Sequence, residues 1–145
     1  MKDNLIGVSL LTLSITIFFL ALEPVSVVTT YGDSMQPTLD NDEIITVNIG
    51  LQPGEGDIIY FSQDGIEVVH RTVVYVDEGD DWTSEVSESK IKSTNCSELN
   101  ACPAPRSGWI TDGDNNKYVD QSLNSNPDKP VTKDEITGVV IIVLE

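Results

Sequence analysis

The chain reads as a mainly β protein: an N-terminal transmembrane helix followed by an antiparallel β domain. Three observations carry that reading. Residues 5–22 hold no charge at all. Six short runs rich in β-branched residues follow, separated by clusters of Gly, Asp, Asn and Pro. After the apolar segment, no stretch of useful length repeats its apolar residues at helical spacing.

The eighteen residues from Leu5 to Leu22 include only Ser9, Thr12, Ser14 and Thr16 as polar members. As a helix rising ~1.5 Å per residue such a run is roughly 27 Å long, close to the ~30 Å hydrocarbon core of a bilayer. It is longer than the apolar part of a cleaved signal peptide, about 7–15 residues. Ala21-Leu22-Glu23-Pro24 is also a poor small-residue cleavage site. We read residues 1–24 as a retained anchor. Lys2, with Asp3 beside it, favours an N-terminus inside the cell, which puts residues 25–145 outside. Only twelve positions then separate Leu22 from Ser34, so that serine stays within reach of the membrane surface.

The strand-like runs are Val25 to Tyr31, Glu43 to Val47, Asp57 to Phe61, Ile66 to Val76, Gly108 to Thr111 and Ile136 to Leu144. Asp64-Gly65, between the third and fourth, is a two-residue hairpin signal. Gly138 to Leu144 is apolar throughout but too short to span a bilayer as a helix, so it reads as a buried closing strand. Asp77 to Ser107 is acidic and without apolar periodicity, and reads as a partly mobile surface insertion.

At 145 residues the chain has room for one domain behind the anchor. It carries 24 Asp plus Glu against 8 Lys plus Arg, a net charge of −16. Such a surface repels a phosphate backbone, which excludes nucleic acid as a partner. With 39% hydrophobic residues gathered in runs, the chain is nonetheless a folding sequence. A halophilic host fits this charge, because high salt screens its self-repulsion.

Cys96 and Cys102 are the only cysteines. Outside the cell they either pair, closing a small loop worth about 2 kcal/mol by chain entropy, or stay as free thiols. Two cysteines and one distant histidine do not make a zinc site. Asn95-Cys96-Ser97 matches an N-glycosylation acceptor.

Chemistry centres on Ser34, in Tyr31-Gly32-Asp33-Ser34-Met35-Gln36-Pro37-Thr38-Leu39. A free hydroxyl is a weak nucleophile and needs a base. Lys90, Lys92, Lys117, Lys129 and Lys133 all fall in polar, loop-like sequence. His70, the single histidine, lies instead in a strand-like run whose backbone can hold an imidazole. An imidazole base needs an acceptor on its other nitrogen. Asp112, Asp114 and Asp120 are all candidates. An EF-hand reading of the Asp-rich turn fails, because the required Glu and the flanking helices are absent.

Taken in order, Gly32-Asp33-Ser34-Met35-Gln36-Pro37-Thr38-Leu39, Glu55-Gly56-Asp57-Ile58-Ile59-Tyr60-Phe61, Val68-Val69-His70-Arg71-Thr72-Val73, Thr111-Asp112-Gly113-Asp114-Asn115-Asn116 with Asp120, and Ile136-Thr137-Gly138-Val139 resemble the motifs of type I signal peptidase. The branch resembled is the archaeal and endoplasmic-reticulum one, since the bacterial branch has a lysine where His70 stands. Asp77 to Ser107 has no counterpart in the resemblance. The resemblance implies a β domain of the signal peptidase type and a membrane-bound serine endopeptidase that acts on preprotein signal peptides. Its partners would be membrane lipid and Sec-type export machinery, with no cofactor and no metal. Carried over, Ser34 is the nucleophile, His70 the general base and Asp120 the third member. Asp114 is a supporting, architectural aspartate. The Ser34 backbone N–H would hold the oxyanion. Some relatives add a serine two residues earlier, where this chain has Gly32, so a second donor would be another backbone N–H or a water. Asp112 stands where a lysine is common. Two rivals remain. One is a catalytically silent membrane-tethered β-domain that binds a secretion partner. The other, a self-cleaving repressor-type protease, is disfavoured: that class uses a lysine base and a soluble DNA-binding N-terminus, and this sequence shows neither.

Overall fold

The computed structural model describes residues 24–123 and 127–144. Among these it is a mainly antiparallel β structure with short 3-10 turns and no α-helix. No helix among the described residues is long and apolar enough to cross a membrane. The anchor expected over residues 1–24 lies, but for Pro24, outside them.

Six strands form one sheet: β1 (Val25–Thr29), β2 (Ile44–Asn48), β3 (Ile58–Gln63), β4 (Ile66–Val76), β5 (Gly108–Asp112) and β6 (Ile136–Leu144). Their order is β1-β2-β6-β3-β4-β5, and every pairing is antiparallel. The Asp64-Gly65 turn joins β3 to β4 with both residues at positive φ, 53° and 81°. That is the geometry a two-residue hairpin needs to match the twist of its strands. β4 and β6 keep the limits of their sequence runs, while β1, β2, β3 and β5 differ from theirs by one or two residues at one or both ends, as expected where pairing rather than composition sets a strand's end.

β3 explains the core. Its run Ile-Ile-Tyr-Phe has apolar residues at every position, and both faces are covered. Ile59 and Phe61 pack with Val131 and Val139 in one cluster. Ile58 and Tyr60 pack against a second, built from Met35, Leu39, Ile45 and Val47. Met35 and Leu39 come from the serine-bearing segment, so the core itself fixes that loop.

Two sequence expectations need correction. β6 sits inside the sheet between β2 and β3 rather than closing a buried core. Its Val139 is buried, but Ile141 and Val143 are 46% and 37% exposed. The run is apolar, yet the described residues cover only part of it.

The second correction concerns the segment from Asp77 to Ser107, which is not simply a surface excursion. Trp82, Val86, Ile91, Leu99, Cys102 and Ala104 all pack inward, against Val76 of β4, Ile110 of β5 and Val119. The Trp82 indole N–H donates to the Ala101 carbonyl at 2.7 Å. Cys96 and Cys102 are joined in a disulfide across this segment. Its apolar residues escape periodicity analysis because they sit on turns, where neither a 2.0 nor a 3.6 repeat applies. The Asn95 side chain accepts from the Ser97 N–H and caps a short turn on the exposed side.

Candidate active site

Ser34 lies on the excursion between β1 and β2, which hydrogen bonds close at its base. The Thr30 N–H donates to the Glu43 carbonyl and the Asp42 N–H returns to the Thr30 carbonyl, both at 2.9 Å. Within the loop the Leu39 N–H donates to the Met35 carbonyl at 3.0 Å. With Met35 and Leu39 buried, the intervening backbone has little freedom, and Ser34 is held at the loop's inner edge.

His70 occupies the middle of β4, opposite Ile59 of β3, and is 7% exposed. Asp120 opens a 3-10 turn, Asp120–Ser122, and is 4% exposed. The tertiary fold brings the three side chains into one line. His70 Nε2 is 3.0 Å from Ser34 Oγ, and His70 Nδ1 is 2.7 Å from Asp120 Oδ2. An ionised carboxylate only accepts, so Nδ1 carries the proton and Nε2 presents its lone pair to the serine hydroxyl. The arrangement can therefore take a proton from Ser34 and stabilise the imidazolium that results.

Asp114 lies outside this line. Its carboxylate takes two bonds from Arg71, at 2.8 and 2.6 Å, and another from the Thr38 hydroxyl. It ties β4 to the segment just after the serine. The bidentate bonds from Arg71 hold its pKa below the usual carboxylate value, against an opposing effect of burial. Because the folded value is the lower one, the pair stabilises the fold above about pH 4. That contribution is lost as pH falls through the depressed value. We therefore expect Asp114→Asn to lower stability at pH 7 and to matter progressively less in urea melts below pH 4. An equal loss at both pH values would contradict the linkage.

Several positioning groups had no individual signal in the sequence. The Thr111 hydroxyl donates to the same Asp120 oxygen at 2.7 Å, and Gln121 in turn accepts from the Thr111 N–H at 2.8 Å. Asn115 grips the serine loop. Its N–H donates to the Ser34 carbonyl at 2.8 Å and its side-chain amide to the Asp33 carbonyl at 3.1 Å. Gly113 makes this approach possible, since a Cβ there would come within 2.7 Å of the Ser34 carbonyl oxygen. Thr111 and Asn115 stand inside the Thr-Asp-Gly-Asp-Asn-Asn run, so the motif marked the place though not the roles. No acceptor among the described residues takes the Ser34 N–H.

A cavity of about 380 Å³ opens beside Ser34 and His70, walled by Val28, Met35, Leu39, Tyr60 and Val69. Burial, followed by the neighbouring Glu67, pushes the Tyr60 phenol up to about 12, so it stays protonated and offers no competing base. One grouping of potential metal ligands occurs among the described residues, Asp81 with Cys96 and Cys102. Its sulfurs are bonded to each other, which leaves no thiolate for a metal.

The Peptidase S24-like family matches residues 11–83, just over half of the 145 residues. The chain belongs to this family. The matched span contains Ser34 and His70 and stops short of β5 and Asp120. Membership supports a serine peptidase type of hydrolase on a β framework. No curated protein matches the chain. In this S24-like chain the group on the Ser34 hydroxyl is the His70 imidazole. None of the described lysines is bonded to that hydroxyl; Lys90, for example, has its ammonium on Asp112.

Proposed function

We propose that this chain is a membrane-anchored signal peptidase, a serine endopeptidase that removes N-terminal signal peptides from exported preproteins. The observation that carries the reading is the hydrogen-bonded line from Asp120 through His70 to Ser34 beside an apolar cleft. His70 takes the Ser34 proton, Ser34 attacks the scissile carbonyl, and an acyl-enzyme forms. Asp120 stabilises the imidazolium while His70 protonates the leaving amine. Water then enters, His70 activates it, and the acyl-enzyme is hydrolysed. The Ser34 N–H serves the oxyanion, which develops next to the nucleophile, and its having no acceptor among the described residues supports that role.

The substrate docks as an added strand, so that backbone bonds give affinity and alternate side chains enter the cleft. Walls of Val28, Met35 and Val69 favour small residues at the first and third positions before the cut. Residues 1–24 are the anchor, and the β domain works on the extracytoplasmic face, beside Sec-type export machinery. Exposed Val25 and Val27, on the strand leading from the apolar segment to the serine loop, support a site close to lipid. The net charge of −16 supports a halophilic host.

The test is cleavage of a preprotein with an Ala-x-Ala site by the detergent-solubilised full chain in high salt. Cleavage by the wild type and not by Ser34→Ala upholds the reading. A folded wild type that cleaves nothing at any salt concentration would favour the tethered binding domain. Substrate size gives a finer check. Phe in place of the residue just before the cut should lower kcat/KM roughly 100-fold, a step on the scale that pocket size alone can enforce. Equal cleavage of the two substrates would rule out the small pocket.

A further inference from the structure

Asp112, at the end of β5, is 9% exposed and opposite Arg71 in the sheet register. One of its oxygens, Oδ1, is buried with no hydrogen-bond partner among the described residues. The other, Oδ2, is 2.7 Å from Lys90 Nζ. Burying a carboxylate with one bare oxygen is costly, and Lys90 offsets part of that cost while the charge itself stays on Asp112. Lys90 comes from the segment between β4 and β5, on a 3-10 turn, Glu88–Lys90. Its ammonium also donates to the Asn116 carbonyl at 2.8 Å. Its own carbonyl accepts from the Val119 N–H at 2.8 Å, and the Lys92 N–H donates to Ser122 Oγ at 2.7 Å. The segment thus grips both ends of the stretch from Asn116 to Ser122, which contains Asp120. Residues 113–116 of the adjoining turn hold Ser34 by its carbonyl.

We propose that Lys90 is a positioning residue for the Ser34–His70–Asp120 site: it clasps the Asn116 carbonyl, and it neutralises Asp112 so that Asp120 is the one uncompensated carboxylate acting on His70. The charged groups around Asp112 are Lys90 from the inserted segment, His70 and Arg71 from β4, and Asp120 from the turn after β5. Burial raises the pKa of Asp112 and Lys90 opposes that rise, as expected of a carboxylate that depends on one cation. The role in catalysis rests on the peptidase reading, whereas the charge pairing does not.

His70 is the only histidine, so its imidazole resonances can be followed by NMR without assignment in the full chain purified without a histidine tag. Lys90→Met keeps most of the stem, removes the cation and leaves Asp112 uncompensated, which favours imidazolium. The titration midpoint should rise. Asp112→Asn leaves the cation alone, and the midpoint should fall. Each displacement should be about half a unit to one unit, the size expected of one nearby charge. The double variant should lie near the wild type, and Lys90→Arg should restore it. In cleavage assays the acid limb of the pH–rate profile should follow the same directions. A purely structural brace would loosen the turn in both single variants and move both midpoints the same way. Midpoints that move together, or not at all, overturn the proposal whether or not the chain cleaves. Midpoints that move apart in a wild type unable to cleave uphold the charge pair and defeat the peptidase reading.

Discussion

Ser34→Ala and His70→Ala are each expected to reduce cleavage of an Ala-x-Ala preprotein to background, a loss of roughly 10⁴-fold or more in kcat. The double variant should be no worse than either single one, because a nucleophile without its base is as inert as a base without its nucleophile. Asp120→Asn should cost roughly 10³–10⁴-fold. Its amide can donate to Nδ1, which favours the tautomer with the proton on Nε2 facing Ser34 Oγ. The geometry separates this residue from Asp114, which bonds Arg71 and Thr38 and touches neither Ser34 nor His70. Asp114→Asn should therefore retain a measurable rate at neutral pH. Kinetics of the four variants on one substrate decide the matter. A larger loss for Asp114→Asn than for Asp120→Asn would move the orienting role from one carboxylate to the other.

Trp82→Ala should cost about 3–5 kcal/mol of stability, the range for emptying a large buried aromatic site. Trp82 is fully buried, and its indole N–H would leave the Ala101 carbonyl without a donor. Chemical denaturation of wild type and variant at one fixed salt concentration measures the difference. A loss below about 1 kcal/mol, the range for surface substitutions and mild changes, would mean that the segment is an appendage instead of part of the core. The expected large loss has a corollary for the site. The same segment supplies Lys90, so loosening it should lower cleavage even though Trp82 touches no member of the Ser34–His70–Asp120 line.

The β framework was largely legible because strands with alternating or continuous β-branched residues announce themselves locally. The Ile66–Val76 and Ile136–Leu144 runs are strands over their full length. Asp64-Gly65 is the turn its two residues require. Sheet order was not legible. β6, last in the chain, inserts between β2 and β3, and that choice depends on which faces complement each other over long sequence separations. The segment from Asp77 to Ser107 was misread for a related reason. Its polar and acidic residues set its composition, while the few apolar ones pack through turns that carry no period.

At the candidate site, residue types and order singled out Ser34 and His70 and left Asp112, Asp114 and Asp120 as candidate carboxylates, among which only the family resemblance pointed to Asp120. What the sequence determined by itself is chemistry and local form: an apolar N-terminal run, a β domain, an acidic surface, and a serine, a histidine and a set of aspartates suited to acyl transfer. The tertiary structure decided which carboxylate faces His70, that Thr111 shares Asp120 with it, and that Lys90 meets Asp112. Those are matters of distance. Hydrogen bonds and ion pairs act over about 3 Å, and only the folded chain brings residues 36 or 50 positions apart within that range.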